Sequence, residues 1–173
     1  MNREHRNIGP AGAGMHSGFR IAALLILGCA LLAGCSKKSP LEKSLVGRWE
    51  NIGLHITVNT YMNTDSTVIL DLTEDNLRNG FATKPFVTIL RDDGTYLLEI
   101  RSKTDSLVNS SSGEWKVDAD SLIMHQLKPG LATFTYHVRI FDGTAEFRTM
   151  VDYDRDGKVD DEILSRSRRI GDE

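Results

Sequence analysis

Ala132-Thr133-Phe134-Thr135-Tyr136-His137-Val138-Arg139-Ile140 is the stretch that decides the fold. Apolar residues hold every even position, and Thr, His or Arg hold every odd one. A period of two places one set of side chains on each face of a strand, while a helix would scatter them around its axis. The clean split into an apolar and a polar face marks a half-buried antiparallel strand. Lys128-Pro129-Gly130 precedes it and Asp142-Gly143 follows it, and both are turn chemistry. Beyond Gly143 the rule resumes in Ala145, Phe147, Thr149 and Val151. Toward the N-terminus it recurs in Leu122 and Met124, Trp115 and Val117, and Tyr96, Leu98 and Ile100. Val87 and Ile89, Val68, Leu70 and Leu72, and Ile52, Leu54, Ile56 and Val58 complete the set. Turn signals at Asn63-Thr64-Asp65, Asp92-Asp93-Gly94, Ser110 to Gly113, Asp118-Ala119-Asp120 and Asp156-Gly157 separate the runs. One short helical turn fits between Thr73 and Phe81.

Short strands at regular spacing with tight turns predict an all-β fold, either a meander that closes into an antiparallel up-and-down barrel of about 8–9 strands or a sandwich. Closure removes the exposed edges on which open sheets aggregate. A barrel of that size is either filled by its side chains or holds one small ligand. The candidate cavity lining is the inward set Ile56, Leu98, Phe134, Tyr136 and Phe147.

Leu45-Val46-Gly47-Arg48-Trp49-Glu50 opens the first strand with Gly-x-Trp. Asp92-Asp93-Gly94-Thr95-Tyr96, Gly113-Glu114-Trp115-Lys116-Val117 and Asp120-Ser121-Leu122 follow in order. From Leu45 to Ile170 this resembles the small lipocalin-like, calycin-type barrels common in bacterial lipoproteins. The resemblance implies that the indole of Trp49, introduced by Gly47, lies across the barrel floor under an arginine of the last strand. Arg166 and Arg168 share a strand face and both qualify. A guanidinium over an indole adds about 0.5–2 kcal/mol, so these roles are structural rather than catalytic. The chain lacks the disulfides of many secreted lipocalins and the Cys-x-x-Cys of copper-responsive envelope lipoproteins.

Arg20 precedes an apolar run from Ile21 to Leu32. That run is shorter than the roughly 20 residues a spanning helix needs, and its flanks fit a secretory signal. It ends on Leu32-Ala33-Gly34-Cys35, which resembles the lipobox of bacterial lipoproteins; the alternative is an ordinary signal with an incidental cysteine. The expected organisation is a signal peptide over 1–34 (Met15 is an alternative start), then lipidated Cys35 and a flexible tether over 35–44. The barrel domain occupies 45–173. The implied partner is a membrane, held through the lipid on Cys35. The implied address is the cell envelope, facing the periplasm. Ser36 rather than Asp after Cys35 points to the outer membrane by the enteric-type sorting pattern.

Residues 35–173 carry 18 Lys and Arg against 23 Asp and Glu. Weak acidity without a clustered basic face argues against nucleic acid. Cys29 leaves with the signal and lipid consumes Cys35, which excludes a disulfide, a thiol nucleophile and a cysteine zinc site. The remaining histidines, His55, His125 and His137, fall in no catalytic spacing, and no phosphate loop is present. The expectation is a protein that is not an enzyme.

One local constellation looks chemical: Asp152-Tyr153-Asp154-Arg155-Asp156-Gly157-Lys158-Val159-Asp160-Asp161-Glu162. Asp at positions 1, 3, 5 and 9 with Gly at 6 follows calcium-loop grammar. The expected oxygen donors are Asp152, Asp154, Asp156, Asp160 and the Lys158 carbonyl. Position 12, Ile163, lacks the bidentate glutamate of an EF-hand. The alternative is a two-residue hairpin turn at Asp156-Gly157, which would set Asp152 opposite Asp161, like charge against like. A longer loop or a bound cation would relieve that pairing.

These readings converge on a lipid-anchored envelope protein whose barrel binds a small apolar or amphipathic ligand. The alternative is an envelope module with a plugged barrel that binds a protein partner, with calcium as a structural stabiliser.

Overall fold

A computed structural model describes residues 38–172. The expected signal over 1–34, Cys35 and the start of the tether lie outside the described residues. Nine strands follow one short helix: α1 (Pro40–Leu45), β1 (Gly47–Val58), β2 (Val68–Leu72), α2 (Glu74–Asn79), β3 (Val87–Leu90), β4 (Thr95–Arg101), β5 (Leu107–Asp118), β6 (Ser121–Lys128), β7 (Ala132–Phe141), β8 (Thr144–Val151) and β9 (Asp161–Gly171). Each pairs antiparallel with the next from β3 to β9, and β9 returns to β1, closing the ring. Eight strands form the closed barrel. β1 meets β3 through Gly47–Glu50 and β2 through Leu54–Val58, on the same edge. β2 therefore lies outside the ring as a flap on one half of β1. No helix among the described residues is long and apolar enough to cross a membrane.

Antiparallel alternation gives the barrel two unlike ends. At the floor, Gly47 meets Leu90, Arg48 meets Gly171, and Phe141 turns into Thr144. At the mouth, Thr57 meets Glu162, Arg101 meets Leu107, and Val151 meets Asp161. The core sits toward the floor, in Leu45, Trp49, Leu90, Tyr96, Trp115 and Leu122.

Two expectations change, and one open alternative is decided. Pro40 to Ser44 was expected to be tether and is helical. The Ser39 hydroxyl caps the first turn by accepting from Glu42 N at 3.0 Å, with Pro40 at the first helical position. Leu45 then inserts fully buried into the core, so the domain begins at α1. Ser110 to Gly113 reads as a turn but runs inside β5, paired with Tyr96 to Glu99. A Cβ at Gly113 would stand 2.0 Å from the His125 carbonyl oxygen, so this glycine permits a close strand approach rather than a reversal. The actual reversal is Ser102 to Ser106, with Asp105 at φ 68°. Finally, β8 and β9 are joined by a long loop over 152–160 instead of a two-residue turn. Val151 faces Asp161, so the like-charged pairing never forms.

Candidate functional site

The barrel interior holds a partly open cavity of about 220 Å³ above the floor. Leu98, Phe134, Tyr136 and Phe147 line it, as period-two alternation places them. Ile56 is buried but is not part of the wall; it packs near the mouth between its cross-strand neighbours Leu70 and Ile163. The aromatic rings form a connected series. Trp49 meets Phe147 edge-on with centroids 6.4 Å apart, and Phe147 meets Tyr136 edge-on at 6.3 Å. These are favoured aromatic geometries.

The lining is mainly apolar, with hydroxyls from Thr88, Tyr136, Thr149, Ser165 and Ser167 and no charged side chain among the described residues. Burial, with Tyr96 nearby, pushes the Tyr136 phenol up to about 12, so it stays a neutral hydroxyl at physiological pH. Asn51 pairs across β1–β9 with Ser167 and is fully buried. Directly opposed residues share a face, so its amide belongs to the inner side. Its Nδ2 donates to Ser165 Oγ at 2.8 Å and to the Gly53 and Arg166 carbonyls at 3.0 Å. Its Oδ1 is buried with no donor among the described residues. The interior thus offers a mainly apolar chamber dotted with neutral hydroxyls. A larger hollow of about 370 Å³ lies outside the wall against His55, Asp71, Glu74 and Arg166, where solvated charges compete with any ligand.

The floor is built as the Gly-x-Trp motif implies, with one correction. Trp49 is 1 % exposed and its indole N–H donates to the Leu45 carbonyl at 2.8 Å. The cation over its ring is Arg169, 4.9 Å from the centroid, rather than Arg166 or Arg168. Side-chain direction on β9 is the reason. Ser165 and Ser167 face the cavity, so the odd set points inward and Arg169, directly opposite Trp49, follows it. Arg166 and Arg168 point out. Arg166 pairs with Glu146 at 2.9 Å, and Arg168 pairs with Glu74 at 2.8 Å. Gly47 adopts φ +139°, and a Cβ there would meet Arg169 Nη1 at 2.9 Å. The motif needs glycine so that the guanidinium can reach the indole.

The β1 pattern contains a parity change that accounts for both halves of the site. Trp49 and Asn51 face inward at odd positions, Leu54 at an even one. A bulge between Asn51 and Gly53 switches the faces. The same strand thereby plugs the floor and lines the chamber.

At the mouth, the acidic loop folds against the β1–β2 connector. Asp161 is fully buried at the start of β9, accepting from Asn59 N at 2.8 Å and Tyr153 N at 2.7 Å. Asp154 accepts from Met62 N and from Asp156 N. Asp152 accepts from Gly157 N at 3.1 Å. Asp152, Asp154 and Asp161 each bring one carboxylate oxygen to within 4.8 Å of the others. Asp156 and Asp160, also expected as donors, lie outside that carboxylate group. Asp156 is engaged by Lys158 N at 2.9 Å and Lys158 Nζ at 3.7 Å, and Asp160 by the Thr60 hydroxyl at 3.0 Å.

Several site residues escaped the sequence reading. Arg169 and the two serines were legible in Ser165-Arg166-Ser167-Arg168-Arg169, where small residues alternate with arginines until the last position. Asp161 and Asn51 carried no signal, because burial of a polar residue depends on what packs over it. No family model matches this chain, and a search of curated proteins finds no relative.

Proposed function

We propose that this protein is a lipid-anchored lipoprotein of the cell envelope whose barrel takes a small, uncharged apolar or amphipathic ligand. The apolar chamber of about 220 Å³ inside the barrel carries the ligand reading. A pocket of this size and lining suits a short alkyl chain or a single ring. An ionised ligand would enter without a counter-charge, which is costly in an apolar site. A hydroxyl or amide N–H on the ligand would find the hydroxyls of Ser165 and Ser167 on the wall. The lipobox-like Leu32-Ala33-Gly34-Cys35 supports the anchor and the envelope address.

The test is titration of the full chain in detergent with an environment-sensitive apolar dye. One saturable site is expected, displaced by octanol at lower concentration than by octanoate. A chain that takes up no dye would overturn the cavity reading in favour of the alternative, a protein-binding module. For the anchor, Cys35→Ala should move the protein from the membrane to the soluble fraction, since acyl chains contribute about 0.8 kcal/mol per buried CH₂. A variant that still sediments with membranes after a salt wash would refute lipidation.

A further inference from the structure

We propose that Asp152, Asp154 and Asp161 hold one calcium ion at the barrel mouth, and that the ion ties the β8–β9 loop to the connector carrying the β2 flap. This does not rest on the cavity reading. The donors are all carboxylate oxygens, the hard ligands calcium prefers. Oxygens bound to one calcium at about 2.3–2.6 Å stand at most about 5 Å apart, and the three lie within 4.8 Å of one another. The trio already spans a single ion.

A second observation points to a cation independently of that convergence. Asp152 Oδ1 and Asp160 Oδ1 are buried without any hydrogen-bond partner among the described residues. A buried carboxylate oxygen with neither donor nor counter-charge is costly. Protein cations do not supply the remedy. Lys158 reaches Asp156 at 3.7 Å, and none of the ion pairs among the described residues includes Asp152, Asp154, Asp160 or Asp161. Asp152 is a member of the converging trio, so a divalent ion there would supply the missing partner of its carboxylate.

The mechanical consequence follows from what the same carboxylates hold. Asp161 accepts from Asn59 N and Asp154 from Met62 N, so two of the three ligands also clamp the segment leading from β1 to β2. That segment turns through left-handed conformations at Thr60, Met62 and Asn63, which few side chains adopt freely. An ion that orders the carboxylates thereby orders the connector and the flap beyond it.

The experiment uses the full chain in detergent, with terbium and calcium as probes. Terbium should give saturable luminescence sensitised by Tyr153, displaced by calcium at about 10⁻⁴–10⁻³ M, the range of extracellular sites. Calcium at 10 mM should raise the melting temperature by about 5 °C or more, with magnesium doing less. Amide exchange over residues 59–63 should slow with calcium. Asp152→Asn should weaken calcium at least tenfold, and Asp154→Asn should do the same. Retention of the dichroism spectrum and of the calcium-free melting temperature would show that each variant is folded. A calcium-insensitive melting curve, or equal terbium binding by the folded variants, would overturn the proposal. Binding without slower exchange over 59–63 would overturn its mechanical half.

Discussion

The floor and the mouth of this barrel are made from the same eight strands and differ in nearly every physical respect. At the floor, short reversals such as Asp142-Gly143 hold the strands close. Leu45 and Trp49 are sealed, and Arg169 covers the indole. At the mouth, the β8–β9 connection is long, β2 leaves the ring, and apolar side chains face water: Ile69 is 63 % and Leu131 84 % exposed. A sealed end concentrates burial, and burial is what stabilises a small domain. An open end gives up that stabilisation and gains access to the chamber. The difference teaches that burial and access to the interior are segregated along the barrel axis.

Substitution at the plug strikes this comparison hardest. Trp49→Ala should cost about 3–5 kcal/mol in urea unfolding, the range for a buried aromatic truncation. A loss below about 1 kcal/mol would mean the floor is not where stability resides.

The chamber between the two ends comes next. The Tyr136 phenol is held up at about 12 by burial, above its ordinary value near 10. The folded state therefore keeps a proton that the unfolded chain releases first. The stabilisation is complete below about pH 10 and is lost as pH rises to 12, amounting to about 2–3 kcal/mol. Tyr136→Phe should remove that part of the alkaline decline, measured as unfolding free energy against pH. An identical decline in both proteins would place Tyr136 in contact with solvent.

The smallest expected effect sharpens the assignment of the floor cation. Arg169→Met should cost about 0.5–2 kcal/mol. Arg166→Met and Arg168→Met should stay within about 1 kcal/mol, as exposed ion pairs do. Equal losses from all three in thermal or urea unfolding would erase the distinction between inward and outward arginines.

How much of this was legible follows from the range of the forces involved. The alternation in β7 and β8 is local, and it placed Phe134, Tyr136 and Phe147 on the chamber wall. In β1, alternation alone misleads, because the bulge between Asn51 and Gly53 reverses the faces part-way along the strand. Counting back from Ile56 by twos would turn Trp49 outward. Gly-x-Trp supplied the inward assignment instead. The serine-rich stretch before Gly113 resembled a turn because its composition is that of turns. Pairing with β4 on one side and β6 on the other made it strand.

By itself the sequence determined the all-β class, the antiparallel pairing, the inward aromatic set, the glycine and tryptophan of the floor, and the acidic loop. Each of these is written in residues close together along the chain, where periodicity and turn chemistry act. Only the tertiary structure decided that Arg169 covers Trp49, that β2 stands outside the ring, and that Asp161 joins Asp152 and Asp154 at the mouth. Those outcomes depend on closure of β9 onto β1, which brings together residues more than a hundred positions apart. Barrel closure sets register, register sets which face a side chain takes, and no local pattern encodes that final alignment.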